Sequence, residues 1–341
     1  MKPHLNRHKY AAPVIIASFI MIIMASGCGN NLQKVRITRP VMGTFVSITA
    51  YSNNPAEAQK HIEEAFAEID RIESMMSFYR DDSELSKING AGTGPTELSS
   101  EMFSIIEQSI GYSEISGGAF DITSAPLIRL WKKAIRESAL PGNAGIEEAM
   151  KMVGYKKLNL DINTDTLRFE YPGMKIDLGA IAKGYAADRA IELLRNKGIE
   201  HALVDAGGDI RSLGTKPGAE PWAVALQNPR DPDDYLVRLN IQDNAVTTSG
   251  DYEQFFIENG SRYSHIVDPR TGKTVSGCIS ATVVAPTAMQ ADALSTTIMV
   301  TGAKEGLSII EKIPGVEALI VDSDKKLHRS SNFSLYETPQ L

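Results

Sequence analysis

The chain has 341 residues, 43% of them hydrophobic, and a net charge of −7. That length holds one large domain or two with a packed core, while the acidic balance and the lack of any Lys/Arg run exclude nucleic acid as a partner. With only Cys28 and Cys278, paired-cysteine zinc sites are excluded as well.

The first element is a leader. Lys2, Arg7 and Lys9 form a basic head, and removing them makes the remainder more acidic still. The apolar run from Ala11 to Met24 is shorter than the roughly 20 residues of a membrane span and ends in small residues. Residues 1–27 therefore read as a signal peptide. The junction "ASGC" resembles the lipobox of bacterial lipoproteins, which implies a lipid on Cys28 and an extracytoplasmic, membrane-anchored chain, periplasmic in a Gram-negative host. Gly29 after Cys28 resembles an outer-membrane sorting signal. Residues 28–38 are expected to be the lipidated cysteine and a tether, and 39–341 a single domain. With Cys28 lipidated, Cys278 has no intramolecular disulfide partner.

Residues 41–51 alternate like a strand, and 55–76 form an amphipathic helix with Ile62, Phe66, Ile69 and Ile72 on one face. A second helix covers 99–115, with Ser99 as N-cap and a stop at Gly117-Gly118. A short helix at 145–153 precedes two short strands within 156–171. The stretch "IDLGAIAKGYAADRAI" predicts a helix over 178–196, ending at Gly198. Strands are expected at 201–206, 222–227, 235–241 and 245–248, then a hairpin turning at Asn259-Gly260. Strand 280–285, helices 287–301 and 303–312, and strand 316–321 close the domain. Helices and strands do not alternate strictly, so the fold class is α+β, with two interleaved lobes.

Phosphate-loop, zinc-protease and nucleophile-elbow signatures are absent. What remains is a set of islands: "MGT", "GGAFDIT", "DLGAIAKG", "DAGGDI", "TTSGDY", "YSHIVDPRTG" and "ADALSTT". Singly, each reads as turn chemistry. Together they supply small residues that let backbone approach a ligand, Gly179 and Gly184 among them. Asp292 and Thr296 lie one helical turn apart on one face. Such hard oxygen donors suit Mg²⁺, although by spacing alone an exposed acid beside a back-bonded threonine is the plainer reading. A pyrophosphate, bridged by the metal and faced by Lys183, fits the set.

In this order the islands resemble the ApbE family, the FAD:protein FMN transferases, from about Arg39 to Gly315. The combination is specific where each motif alone is weak. The resemblance implies an ApbE-like α+β fold of mixed sheets with helices and FAD in a cleft between two interleaved parts. It also implies FAD contacts at Met42, Tyr79, Ala119, Phe120, Asp121, Asp177, Lys183 and Ile266. Mg²⁺ would be held by Asp292, Thr296 and the Ala180 carbonyl, and His265 would take a proton. Implied acceptors are subunits of the sodium-pumping NADH:quinone reductase and of the related Rnf complex, which carry an Asp-x-Ser/Thr-Gly-Ala-Ser/Thr-like motif.

The implied reaction moves FMN from FAD to an acceptor threonine as a phosphoester and releases AMP. Histidine is the better base because its ordinary pKa lies near operating pH. Asp292 serves catalysis through the metal, and Asp251 is the next acid to consider as base. His265 also has a plainer reading as a satisfied strand residue. Two rivals stay open: an FAD pyrophosphatase releasing FMN and AMP, and a flavin-binding lipoprotein without catalysis.

Overall fold

The computed structural model describes residues 32–338. The expected leader and the expected lipidation of Cys28 lie outside that range. The tether does not extend to residue 38. Strand β1 (Gln33–Val41) pairs with β2 (Thr44–Ser52) in continuous antiparallel register from Gln33↔Ser52 to Val41↔Thr44. Val35, Ile37 and Val41 alternate with solvated Lys34, Arg36 and Thr38, so a basic-looking segment is a half-buried edge strand. Pro40 is tolerated because this strand ends the sheet.

Helix α1 (Pro55–Met76) buries the predicted Ile62, Phe66, Ile69 and Ile72 and is capped by Asn54. The chain continues through α2 (Glu84–Gly90), β3 (Thr96–Glu97) and α3 (Ser100–Ile115), whose N-cap is Ser99 as expected. Helix α4 (Ala125–Glu137) carries the "PLIRLW" run, and α5 (Asn143–Lys151) follows. Strands β4 (Leu158–Asp161) and β5 (Thr166–Phe169) form a small sheet with β3. Then come α6 (Ala182–Asn196), β6 (His201–Ala206), β7 (Asp209–Leu213), β8 (Trp222–Asn228), β9 (Asp231–Ile241) and β10 (Ala245–Gly250). The hairpin β11 (Phe255–Glu258) and β12 (Ser261–Ser264) turns at Asn259-Gly260, both at positive φ. Strand β13 (Cys278–Ala285), helix α7 (Ala288–Ile310), β14 (Glu317–Asp322) and β15 (Leu327–Arg329) complete the chain. Gly302, at φ 79°, breaks α7 where the sequence predicts two helices.

One eight-stranded antiparallel sheet, in the order β1-β2-β6-β7-β10-β13-β14-β15, forms the frame. Helices α1, α6 and α7 pack side by side on one face. The β8–β9 hairpin covers part of the other, with Trp222, Val224 and Leu226 against Val246, Val284 and Leu319. Covered on both faces, β13 reads as one apolar run, "CISATVVA", and is buried throughout. A third cluster joins α4, α5 and the β11–β12 hairpin through Trp131, Val153, Phe256 and Val267. This is the α+β architecture expected, with a smaller lobe set against the end of the sheet where the hairpin turns gather.

Candidate active site

Two tight turns build the floor of a pocket at one end of the sheet. Met42 and Gly43, both at positive φ, turn β1 into β2, and Gly207 and Gly208 turn β6 into β7 the same way. Positive φ at both central residues is the I′ hairpin geometry. A Cβ on Gly207 would lie 2.4 Å from Thr44 Oγ1, so only glycine lets the two turns stack. The second turn delivers Asp209 to the pocket as the first residue of β7.

The helices bring the other charges. Helix α6 begins at Ala182, not at 178. The Asp177 carboxylate accepts from the Gly179 amide at 2.8 Å, and Ile181 sits at φ −149°. A side-chain-stabilised turn therefore competes with the helix there. Gly179 and Ala180 line the pocket from this turn. Gly184 has a different use from the ligand wall expected. A Cβ there would lie 2.3 Å from the Ala288 carbonyl oxygen, so Gly184 is the point where α6 and α7 touch. Asp188 fastens the same crossing by accepting from the Ala288 and Met289 amides at 2.8 and 2.9 Å, on the positive end of α7.

This crossing sets Lys183 of α6 beside Asp292 of α7. Lys183 Nζ lies 3.6 Å from Asp292 Oδ2 and 2.6 Å from Asp209 Oδ2. Burial alone would lower the lysine pKa, but Asp292 and Asp209 outweigh it and raise it, so Lys183 stays charged. Asp209, 2% exposed, is pushed up by its burial and then by the Asp292 charge. The lysine approaches Asp209 off the hydrogen-bonding direction, which leaves that buried oxygen without a directed donor.

These residues fit a hard divalent cation. Two carboxylates around one lysine leave more acidic groups than positive ones in a buried place, a balance that a bound cation would redress. Thr296, on the Asp292 face of α7, adds a hydroxyl within 3.4 Å of Ser249 Oγ, and Ala180, whose one oxygen is its backbone carbonyl, lines the same pocket. All are oxygen donors, the set Mg²⁺ prefers. Among the described residues no group of three or more His, Cys, Asp or Glu is placed to hold a metal, so carboxylates alone do not complete the site.

His265 faces the same pocket, of about 420 Å³. Its Nδ1 lies 3.4 Å from the Gln254 carbonyl, a long contact in which the ring can only donate. That tautomer leaves Nε2 with a lone pair. Burial lowers the His265 pKa, with the positive charges of Lys132 and Lys183 adding to it against the Gln254 contact. Asp251 does not serve as an alternative base, because Arg230 grips both its oxygens at 2.6 and 2.7 Å.

Met42, Ala119, Phe120, Asp121, Asp177 and Ile266 all line this pocket. Asp121 does so with its oxygens already engaged: Thr123 donates twice to Oδ1, at 2.8 and 2.6 Å, and the Tyr155 amide donates to Oδ2. Its carboxylate shapes the loop that presents Ala119 and Phe120. Tyr79 is not brought into the lining. It is 77% exposed at the rim, where Lys132 Nζ, itself lining the pocket, donates to its hydroxyl at 2.9 Å.

The ApbE family model matches residues 42–320. The chain belongs to the ApbE family. It is 32% identical to the FAD:protein FMN transferase of Treponema pallidum over 336 residues, covering 93% of each chain. Its identity to the enzyme of that name from Vibrio cholerae is also 32%, over 93% of this chain and 97% of the other. Among solved structures, the ApbE protein of Thermotoga maritima superposes with a TM-score of 0.83 at 36% identity, over 90% of this chain and all of the other. The flavin transferase ApbE of Vibrio cholerae superposes at 0.79.

In this ApbE-family pocket, the residues that motif reading passed over are Asp209, Asp188, Ser249 and Lys132. Asp209 lay inside the "DAGGDI" island, and a Gly-Gly turn followed by an acid at a strand start was the available signal. Asp188 had none, since its partners on α7 are remote in sequence.

Proposed function

We propose that this ApbE-family chain transfers FMN from FAD to a threonine hydroxyl of an acceptor protein and releases AMP. The observation that carries the reading is a buried Lys183–Asp209–Asp292 cluster facing, in one pocket, a histidine with a free ring nitrogen. Relatives named FAD:protein FMN transferase support it.

The residues divide the work by charge. Lys183 sits where the pyrophosphate oxygens gain charge during transfer. Asp209 holds Lys183 against the sheet. Asp292, Thr296 and the Ala180 carbonyl would hold Mg²⁺, which when bound neutralises phosphate charge and orients the pyrophosphate. Ala119, Phe120 and Ile266 give the flavin nucleotide an apolar wall, with Met42 on the opposite turn. Asp177 keeps one carboxylate oxygen, Oδ2, free of the turn it stabilises and available to the nucleotide. The acceptor oxygen bonds to the flavin-side phosphorus, the bond from that phosphorus to the bridging oxygen breaks, and AMP leaves with the electron pair. The hydroxyl proton passes to His265 Nε2.

The leader and lipobox support an extracytoplasmic chain held to a membrane through lipid on Cys28. There it would meet redox subunits with an Asp-x-Ser/Thr-Gly-Ala-Ser/Thr-like segment. The test is to incubate the protein with FAD and Mg²⁺, with and without a peptide containing Asp-Gly-Ser-Gly-Ala-Thr. Transfer predicts flavin on the peptide threonine, with AMP release accelerated by peptide. FMN and AMP released at the same rate with or without peptide, and no modified peptide, would instead mean a pyrophosphatase.

A further inference from the structure

The β11–β12 hairpin hangs over the pocket by its two ends, Gln254 and His265, which both line it. The His265 amide donates to the Gln254 carbonyl at 2.9 Å, continuing the hairpin ladder. Counting in alternate pairs from this bond, Phe256↔Tyr263 and Glu258↔Ser261 are the hydrogen-bonded pairs. Phe255 and Ile257 therefore point their backbone N–H and C=O groups away from β12. Among the described residues no strand pairs with that outer edge, and no hydrogen bond from Phe255 or Ile257 backbone reaches it.

The two edges of the ribbon differ. The outward residues of β12 are Arg262, which is half-buried, and Ser264, which is fully buried. Those of β11 are exposed, Phe255 by 36% and Ile257 by 61%, and they share one face. Phe256 turns the other way, into the cluster with Trp131 and Tyr263. The Arg262 guanidinium lies 3.7 Å from the Phe255 ring centroid and stiffens that face. Natural edge strands are usually blunted with lysine, proline or a bulge. This one carries none of these and presents apolar side chains one residue before the pocket.

We propose that the outer edge of β11 is the docking strand for the acceptor polypeptide, which adds to the hairpin as an extended segment with an apolar face. This rests on the transferase reading and names where its protein substrate binds. Backbone pairing would supply affinity and the Phe255–Ile257 face selectivity, as in other strand-addition complexes. A segment so paired runs toward Gln254 and His265, which carries its hydroxyl to the base without any separate acceptor pocket. The same ladder bond that ends the hairpin positions His265, so docking and base share one element.

Two variants of Ile257 test this with the full chain, FAD, Mg²⁺ and an Asp-Gly-Ser-Gly-Ala-Thr peptide extended by alternating valines, which give it an apolar face. Ile257→Pro removes an outward N–H while leaving the β12 ladder bonds in place. Ile257→Lys keeps the backbone donors and puts a charge on the apolar face. Each is expected to raise the peptide KM about 3- to 10-fold, the proline variant through one lost hydrogen bond and the lysine variant through lost apolar contact, with FAD affinity unchanged. Should the proline variant lose FAD affinity, the decision falls to Ile257→Lys. Peptide flavinylation with an unchanged peptide KM in a variant that still binds FAD would overturn the docking strand alone. AMP release without any peptide flavinylation by the unaltered chain would overturn the transferase reading and the docking strand with it.

Discussion

His265 brings to the pocket a ring nitrogen with a lone pair to give, which sets it apart from Lys183, Asp121 and Asp251. Lys183 is held protonated, Asp121 is bonded on both oxygens, and Asp251 is gripped by Arg230. Its pKa is lowered from the ordinary 6.5 by burial and nearby cations, so its base form persists to lower pH than in a free histidine. The rate of transfer should rise with pH along a limb centred below 6.5, and His265→Ala should abolish that limb. The same substitution should slow transfer by about 10²- to 10⁴-fold, as general-base loss does, and leave FAD affinity nearly unchanged. Lys183→Ala should keep the limb and weaken FAD roughly 10- to 100-fold, the scale of a lost charged hydrogen bond. Rate and FAD-binding measurements across pH separate the two signatures. Asp292→Ala should lower turnover strongly and FAD affinity less, because the contacts of the flavin and adenine ends survive. Full activity of Asp292→Ala at limiting Mg²⁺ would contradict its place in the cation site. At this scale motif order named residues that the structure gathers into one pocket, Met42, Asp177 and His265 among them. It passed over Asp209, whose signal was the Gly207-Gly208 turn before it, and it drew Tyr79 into a pocket whose rim it occupies.

The elements that matter most to the site are the α6–α7 crossing and the two stacked turns. Gly184 is the contact point of the crossing. Gly184→Ala would press a methyl group against the Ala288 carbonyl, which is backbone and has no rotamer by which to yield. The helices must move apart, at about 1–3 kcal/mol, and Lys183 must move with respect to Asp292. Thermal unfolding should show the lost stability, and FAD affinity should fall with it. Retained stability and affinity would mean that the crossing is more tolerant than the packing implies. Capping and periodicity made α1, α3 and the two parts of α7 legible, down to Ser99 and Gly302. The start of α6 was not, since Asp177 forms its own turn with Gly179 before the helix can begin. Strand β1 was hidden by its charged outer face, and its inward Val35, Ile37 and Val41 signalled it only faintly.

For the whole molecule, the sheet with its helix layer is a rigid platform, and the smaller lobe closes the pocket over its turn-bearing end. The core clusters lie wholly within the described residues, so the domain is expected to fold without the segment before them. Cys28→Ala should therefore abolish lipid labelling while the soluble domain keeps its thermal unfolding transition. A native amino terminus that is unlipidated and starts elsewhere would contradict the anchor. Fold class and family order were legible because they depend on the whole series of islands. The docking edge was not, because a free strand edge shows itself only once all pairings are known. As a transferase, the pocket hands flavin to a protein hydroxyl and not to water. The most direct test is the ratio of AMP released to flavin covalently bound, measured on one sample of the full chain with FAD, Mg²⁺ and the Asp-Gly-Ser-Gly-Ala-Thr peptide. Equimolar AMP and threonine-bound flavin is the result predicted, and AMP matched by free FMN with unmodified peptide would contradict it.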